Sequence, residues 1–141
     1  MAKKNLPVSE QVPPQNTEAE KAFIASMLLE EDALIRGLEI IKKDFFYDNR
    51  HQLIFSAMQD LFEKNIKCNL ITLSNYLKEI NKIDQAGGIE YLTSLFDFVP
   101  TAAHIEDYAK IVKDTFVLRT LINTSTKIIT EAYSGVQDVD G

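Results

Sequence analysis

The sequence predicts an all-α protein: a small helical bundle head followed by a long helix that forms the first arm of a helical hairpin. Three observations point there. Apolar residues recur at i, i+3, i+4 and i+7 through most of the chain, the repeat of a helix with one buried face. The best strand candidate, IKCNLITL at 66–73, is short and lacks a second segment of similar character to pair with. Residues 101–134, TAAHIEDYAKIVKDTFVLRTLINTSTKIITEAYS, contain neither glycine nor proline.

Taken in order, residues 1–15 carry Pro7, Pro13 and Pro14 among polar residues and read as a disordered arm. The head spans 16–100. Thr17 and Glu20 have the spacing of a capping box, a hydroxyl answered three residues later by a carboxylate. The segment that follows, AFIASMLL at 22–29, is uncharged on every side, which places it at the centre of a bundle. A second helix begins after Asp32 and carries Leu34, Leu38 and Ile41 around Gly37. Asp48 caps a third, whose stripe is Leu53, Ile54, Ala57, Met58, Leu61 and Phe62. A fourth runs from Thr72 with Leu73, Tyr76, Leu77 and Ile80. QAGG at 85–88 is a turn, and a short fifth helix, IEYLTSLFDFV, is stopped by Pro100.

Thr101 is then placed to cap the long helix. Its apolar residues include Ile105, Tyr108, Ile111, Val112, Leu118, Leu121, Ile122, Ile128, Ile129 and Tyr133. At ~1.5 Å per residue the helix is about 48 Å long. A bundle built from the preceding head is roughly 25–30 Å across, so part of the helix projects. A projecting apolar seam needs a partner. Ile111, Leu118, Leu121, Ile122 and Ile129 are the candidates for pairing one subunit with another. The β-branched and polar run NTSTK at 123–127 is the weak point, where a kink would fall. SGVQDVDG at 134–141 reads as a loop. We therefore expect 101–141 to be the first arm and turn of a hairpin, cut from a longer protein.

Charge and cysteine content narrow the function. The 141 residues hold 15 Lys+Arg against 21 Asp+Glu, a net charge of −6. The lysine pairs Lys3-Lys4 and Lys42-Lys43 are isolated, so this segment is a poor grip for phosphates. No apolar run approaches the ~18 residues of a membrane span, and the N-terminus lacks the apolar core of a signal peptide. A cytoplasmic location is the default expectation. A single cysteine, Cys68, cannot form an internal disulfide, and with His51 and His104 it makes a poor zinc set. Cys68 and His51 as nucleophile and base lack an orienting third group. His51 reads instead as a rim residue on helix three, and Cys68 as a small buried one. His104, Glu106 and Asp107 fall in a helical first turn, where acids are electrostatically favoured, so a solvated face is expected rather than a metal site.

Five blocks, PPQNTEAEKAFIASMLL, DFFYDNRHQLIFSAMQDLFEKN, LITLSNYL, GGIEYL and VPTAAHIEDYAKIV, in this order and at similar spacing, resemble the N-terminal domain of the bacterial replicative DNA helicase of the DnaB type. The resemblance covers Pro13 to about Tyr133. It departs at Ile66 and Asn69, where the family has small and acidic residues. It implies a non-catalytic domain whose hairpins pair neighbouring subunits into a trimer-of-dimers collar on a hexameric ring, and which docks a DnaG-type primase. Glu18, Tyr91, Ile122 and Ile128 match the positions that the family uses toward primase. For each there is a plainer reading: Glu18 as a carboxylate at a helix start, Tyr91 as a packing tyrosine with its hydroxyl at the rim, the isoleucines as seam. ATP, magnesium and DNA are implied for the ring's ATPase domain. No GxxxxGK[ST] occurs in these 141 residues, so none of that chemistry is expected here. A free-standing helical adaptor with no helicase attached is the alternative.

Overall fold

The computed structural model describes residues 11–140, with the side chains of 136–140 left aside. Most of the predicted N-terminal arm, residues 1–10, lies outside the described residues, as does Gly141. The described elements are α1 (Thr17–Leu29), α2 (Glu31–Ile40), a 3-10 turn (Lys43–Phe45), α3 (Asn49–Glu63), α4 (Leu70–Glu79), α5 (Gly88–Phe96) and α6 (Ile105–Asp140). No strand occurs among them. The all-α expectation holds.

The uncharged helix is central. α1 packs against α2, α3, α5 and the root of α6. Phe23, Ile24, Ala25 and Met27 are buried, while Leu29 at its end is exposed. Phe46 extends this core, with ring centroids 6.0 Å from Phe23 and 5.3 Å from Phe55. Each such side chain contributes about 1.5–3 kcal/mol of burial. Gly37 lets α2 approach closely, because a Cβ there would lie 2.8 Å from both Cγ and Sδ of Met27.

Several helix starts differ from expectation: α2 begins at Glu31 and not after Asp32, and the starts of α1, α4 and α6 differ as well. Thr17 is the first residue of α1, not its cap. Asn16 caps it, its Oδ1 accepting from Ala19 N at 2.9 Å, and Glu20 turns inward, so no capping box forms. The capping box of this fold is Asn69–Thr72 at α4, where side chain and backbone answer each other at 2.9 Å in both directions. It converts the supposed strand 66–73 into a helix start at Leu70. At α3, Asp48 does cap as predicted, accepting from Arg50 N at 2.9 Å.

Thr101 caps a turn instead of the long helix: its Oγ1 accepts from Ala103 N at 3.1 Å, and α6 begins at Ile105. The helix then runs 36 residues, about 54 Å. NTSTK lies inside it without interruption. The loop predicted at 134–141 is helical through Asp140. Gly135 costs only about 1 kcal/mol in a helix, and extending a formed helix is far easier than nucleating one. Ile105, Ala109 and Val112 are buried against the head. Phe116 stacks on Phe45 at 4.4 Å, and Arg119 donates to Pro14 O at 2.9 Å and Phe45 O at 2.8 Å. Residues 120–135 are all exposed.

Candidate functional site: an uncovered helical seam and a buried polar chain

At about 100° per residue, Ile111, Leu118, Ile122 and Ile129 fall within roughly 40° of one another around α6. Leu121 flanks them at about 60° from Leu118, and Ile128 at about 80°. Asn123, Thr124, Lys127, Thr130 and Glu131 take the other side. The apolar arc is uncovered: Leu118 is 48% exposed, Leu121 61%, Ile122 43% and Ile129 56%. Ile111, nearer the root, is 39% exposed, and Ile128 60%. The five seam candidates thus share one face of α6, four of them beyond the buried Val112 and Ile111 beside it.

The head holds the other two candidates. Glu18 is exposed in the first turn of α1, beside a shallow depression formed with Ala22, Phe98, Val99, Pro100 and Tyr108. Tyr91 lies on α5. Lys21, one turn after Glu18, bridges them, its Nζ 4.5 Å from the Phe98 ring and 5.1 Å from the Tyr91 ring. Phe98, which lines the depression beside Glu18, is thus linked to Tyr91 through Lys21. Ile122 and Ile128 stand apart from these residues on the projecting arm.

Beneath Tyr91 the structure corrects two expectations. His51 is not a rim residue but is 1% exposed. Its Nδ1 lies 2.8 Å from Glu20 Oε1 and its Nε2 2.6 Å from the Tyr91 hydroxyl. The Tyr91 hydroxyl is consequently turned inward instead of sitting at the rim. Glu20, fully buried, also accepts from Tyr47 N at 2.7 Å and Asp48 N at 3.2 Å. A buried carboxylate is tolerable only with its acceptor sites filled in this way. Burial pushes the Tyr91 hydroxyl up to about 12; Arg50, its guanidinium 4.0 Å from the ring centroid, opposes this, and Asp48 and Glu20 reinforce it. Burial also acts to raise the Asp48 carboxyl, but hydrogen bonds from the Arg50 side chain and backbone outweigh it and hold the group below its ordinary value. Glu20 and His51 escaped sequence reading. The signal available was an acid and an imidazole, each two residues before an apolar helical run.

Cys68 is half-buried, and burial pushes its thiol up to about 12. Both ring nitrogens of His51 are already engaged, so no thiol–imidazole pair exists. His104 sits 3.5 Å from Asp107 on an exposed surface, and Glu106 is committed to Arg36 at 2.6 Å. Among the described residues no group of His, Cys, Asp and Glu is placed to hold a metal ion. No described helix is long and apolar enough to cross a membrane.

An all-helical head bearing a long arm with one exposed apolar face defines the class: a small all-α domain with a projecting helix. The comparisons identify the family: the chain belongs to the DnaB-like helicase N terminal domain, whose sequence model matches residues 12–114. It is 38% identical over 133 residues to the replicative DNA helicase DnaC of Bacillus subtilis, and 39% identical over 132 residues to the replicative DNA helicase DnaB of Geobacillus stearothermophilus. Each match takes in 94% of this chain but 29% of the relative's length. The crystal structure of the N-terminal domain of DnaB helicase from Mycobacterium tuberculosis superposes with a TM-score of 0.84 at 33% identity, covering 88% of this chain and 86% of that one.

Proposed function

We propose that this chain is the assembly and docking domain of a replicative DNA helicase, a protein that unwinds duplex DNA at the replication fork with ATP. Its own contribution is geometric. Seams on α6 arms pair subunits, the pairs build a trimer-of-dimers collar, and the heads offer a surface to a DnaG-type primase. The observation that carries this reading is the apolar arc Leu118–Ile122–Ile129, held away from the head on a helix continuous with its core. Exposed apolar surface of this extent is unfavourable in water unless another chain covers it.

Glu18 and Tyr91 are the head residues proposed to face primase, with Ile122 and Ile128 contributing from the arm. ATP, magnesium and DNA belong to parts of the helicase outside these 141 residues, whose sequence holds no GxxxxGK[ST] phosphate loop. On this reading the domain works in the bacterial cytoplasm.

The test has two arms. Sedimentation across a concentration series should give a mass that rises with concentration. Calorimetry with the helicase-binding domain of primase should give a saturable heat. A monomer at every concentration overturns the pairing role, and no heat at high micromolar concentration overturns the docking role.

A further inference from the structure

The chain Glu20–His51–Tyr91 runs from a buried carboxylate on α1, through a buried ring on α3, to a half-buried tyrosine on α5. Its proton directions follow from what each end can do. The backbone N–H groups of Tyr47 and Asp48 can only donate, so they hold Glu20 as an acceptor. The proton of the third bond then sits on His51 Nδ1. With the imidazole neutral and protonated there, Nε2 presents a lone pair to which the Tyr91 hydroxyl, 2.6 Å away, can donate. The hydroxyl is thereby committed inward. Around the ring, the Arg50 guanidinium lies 4.0 Å and the Lys21 ammonium 5.1 Å from its centroid. Gly87 closes in behind, where a Cβ would meet Tyr91 Cβ at 2.7 Å.

We propose that Glu20 and His51 are positioning residues: they lock Tyr91 by its hydroxyl, so that a partner meets its ring, flanked by Arg50 and Lys21, and not its O–H. This rests on the docking role proposed above. His51, at 1% exposure, cannot touch a partner itself. Any effect it has on docking passes through Tyr91.

Two amides separate positioning from packing. His51→Gln reaches the place of Nε2 and keeps a bond to Tyr91, whereas His51→Asn reaches only the place of Nδ1 and keeps Glu20. In calorimetry with the primase helicase-binding domain, H51N should weaken binding roughly three- to tenfold, the worth of one hydrogen bond. H51Q should restore most of it, at a similar unfolding midpoint. Y91F should match H51N, and the double variant H51N/Y91F should be no weaker than either single one. Additive losses, or H51N equal to the parent, overturn the proposal. Nitrogen chemical shifts of His51 in the free chain supply a second readout. They should report the Nδ1–H form, with Y91F moving chiefly the Nε2 resonance. The opposite tautomer overturns the lock. If the parent chain binds no primase domain, the docking role fails, and these shifts still decide the lock.

Discussion

Replacing Leu121 with glutamate tests the pairing role at its most exposed point. Leu121 is 61% exposed, with no head contact to lose. Fully burying a leucine contributes about 1.5–3 kcal/mol, so covering the exposed fraction contributes about 1 kcal/mol per copy and about 2 per dimer. Each factor of ten in affinity is about 1.4 kcal/mol, so losing this term alone weakens pairing about thirtyfold. A carboxylate forced into the seam adds a desolvation cost, making thirtyfold a floor. Sedimentation velocity over a dilution series reads the shift directly, with thermal unfolding of the head as control. A surface change of this kind should move head stability by no more than ~0.5 kcal/mol. If L121E and the parent dissociate over the same concentration range, α6 does not pair through this arc.

Glu20→Ala leaves the donors of Tyr47 N, Asp48 N and His51 Nδ1 without their acceptor. We expect a loss of about 3–5 kcal/mol in urea unfolding, and a loss under 1 kcal/mol would show that the pocket rehydrates freely. Asp48 has its folded value held below its unfolded one, so its stabilisation is fully present above about pH 4 and fades as acid protonates it. Asp48→Asn keeps a cap but drops the charge. The stability gap between parent and D48N should therefore narrow as pH falls through the acid range, and a gap constant with pH would refute the Arg50 pairing. Cys68, with its thiol pushed up to about 12, should react with a thiol reagent at neutral pH far more slowly in the folded chain than in urea. Equal rates would revive a reactive-thiol reading.

What was legible in the sequence is local. The stripe on α3 and its Asp48 cap depend on residues within two turns. The cap stands, and so does most of the stripe, with Phe55 buried in the core where Phe62 was expected and Phe62 exposed. Gly37 and the turn before α5 were visible for the same reason. Glu20 shows where local reading stops. Its spacing from Thr17 satisfies the capping-box pattern, yet its real partners are amides 27 and 28 residues further on, and no pattern in the sequence announces a backbone N–H as a partner. His51 failed likewise, because its stripe position said only that it lies near an apolar face. At the end of α6 the error ran the other way. Gly135 and the polar residues after it lower helix propensity without breaking it, and a helix already more than seven turns long extends through them. The seam itself was legible as a pattern, whereas its exposure required knowing where the head ends.

Besides the packing of Ile105, Ala109 and Val112 on the head, the two parts of the domain also meet on the short segment 43–48. Phe45 receives the stack of Phe116 and, through its carbonyl, the guanidinium of Arg119. Phe46 enters the core, while Tyr47 and Asp48 give their amides to Glu20. The guanidinium that fixes the root of α6 also lies 5.5 Å from the Tyr47 ring. The direction in which the arm leaves the head is therefore set in part by the same backbone that donates to the buried carboxylate. This matters for pairing, because association loses free energy for every loosely held segment that must be ordered when two surfaces meet. An arm pinned by a ring stack and two carbonyl hydrogen bonds at its root enters that encounter already aimed. In the proposed assembly its apolar arc need only supply contact, and the head behind it keeps one fixed orientation.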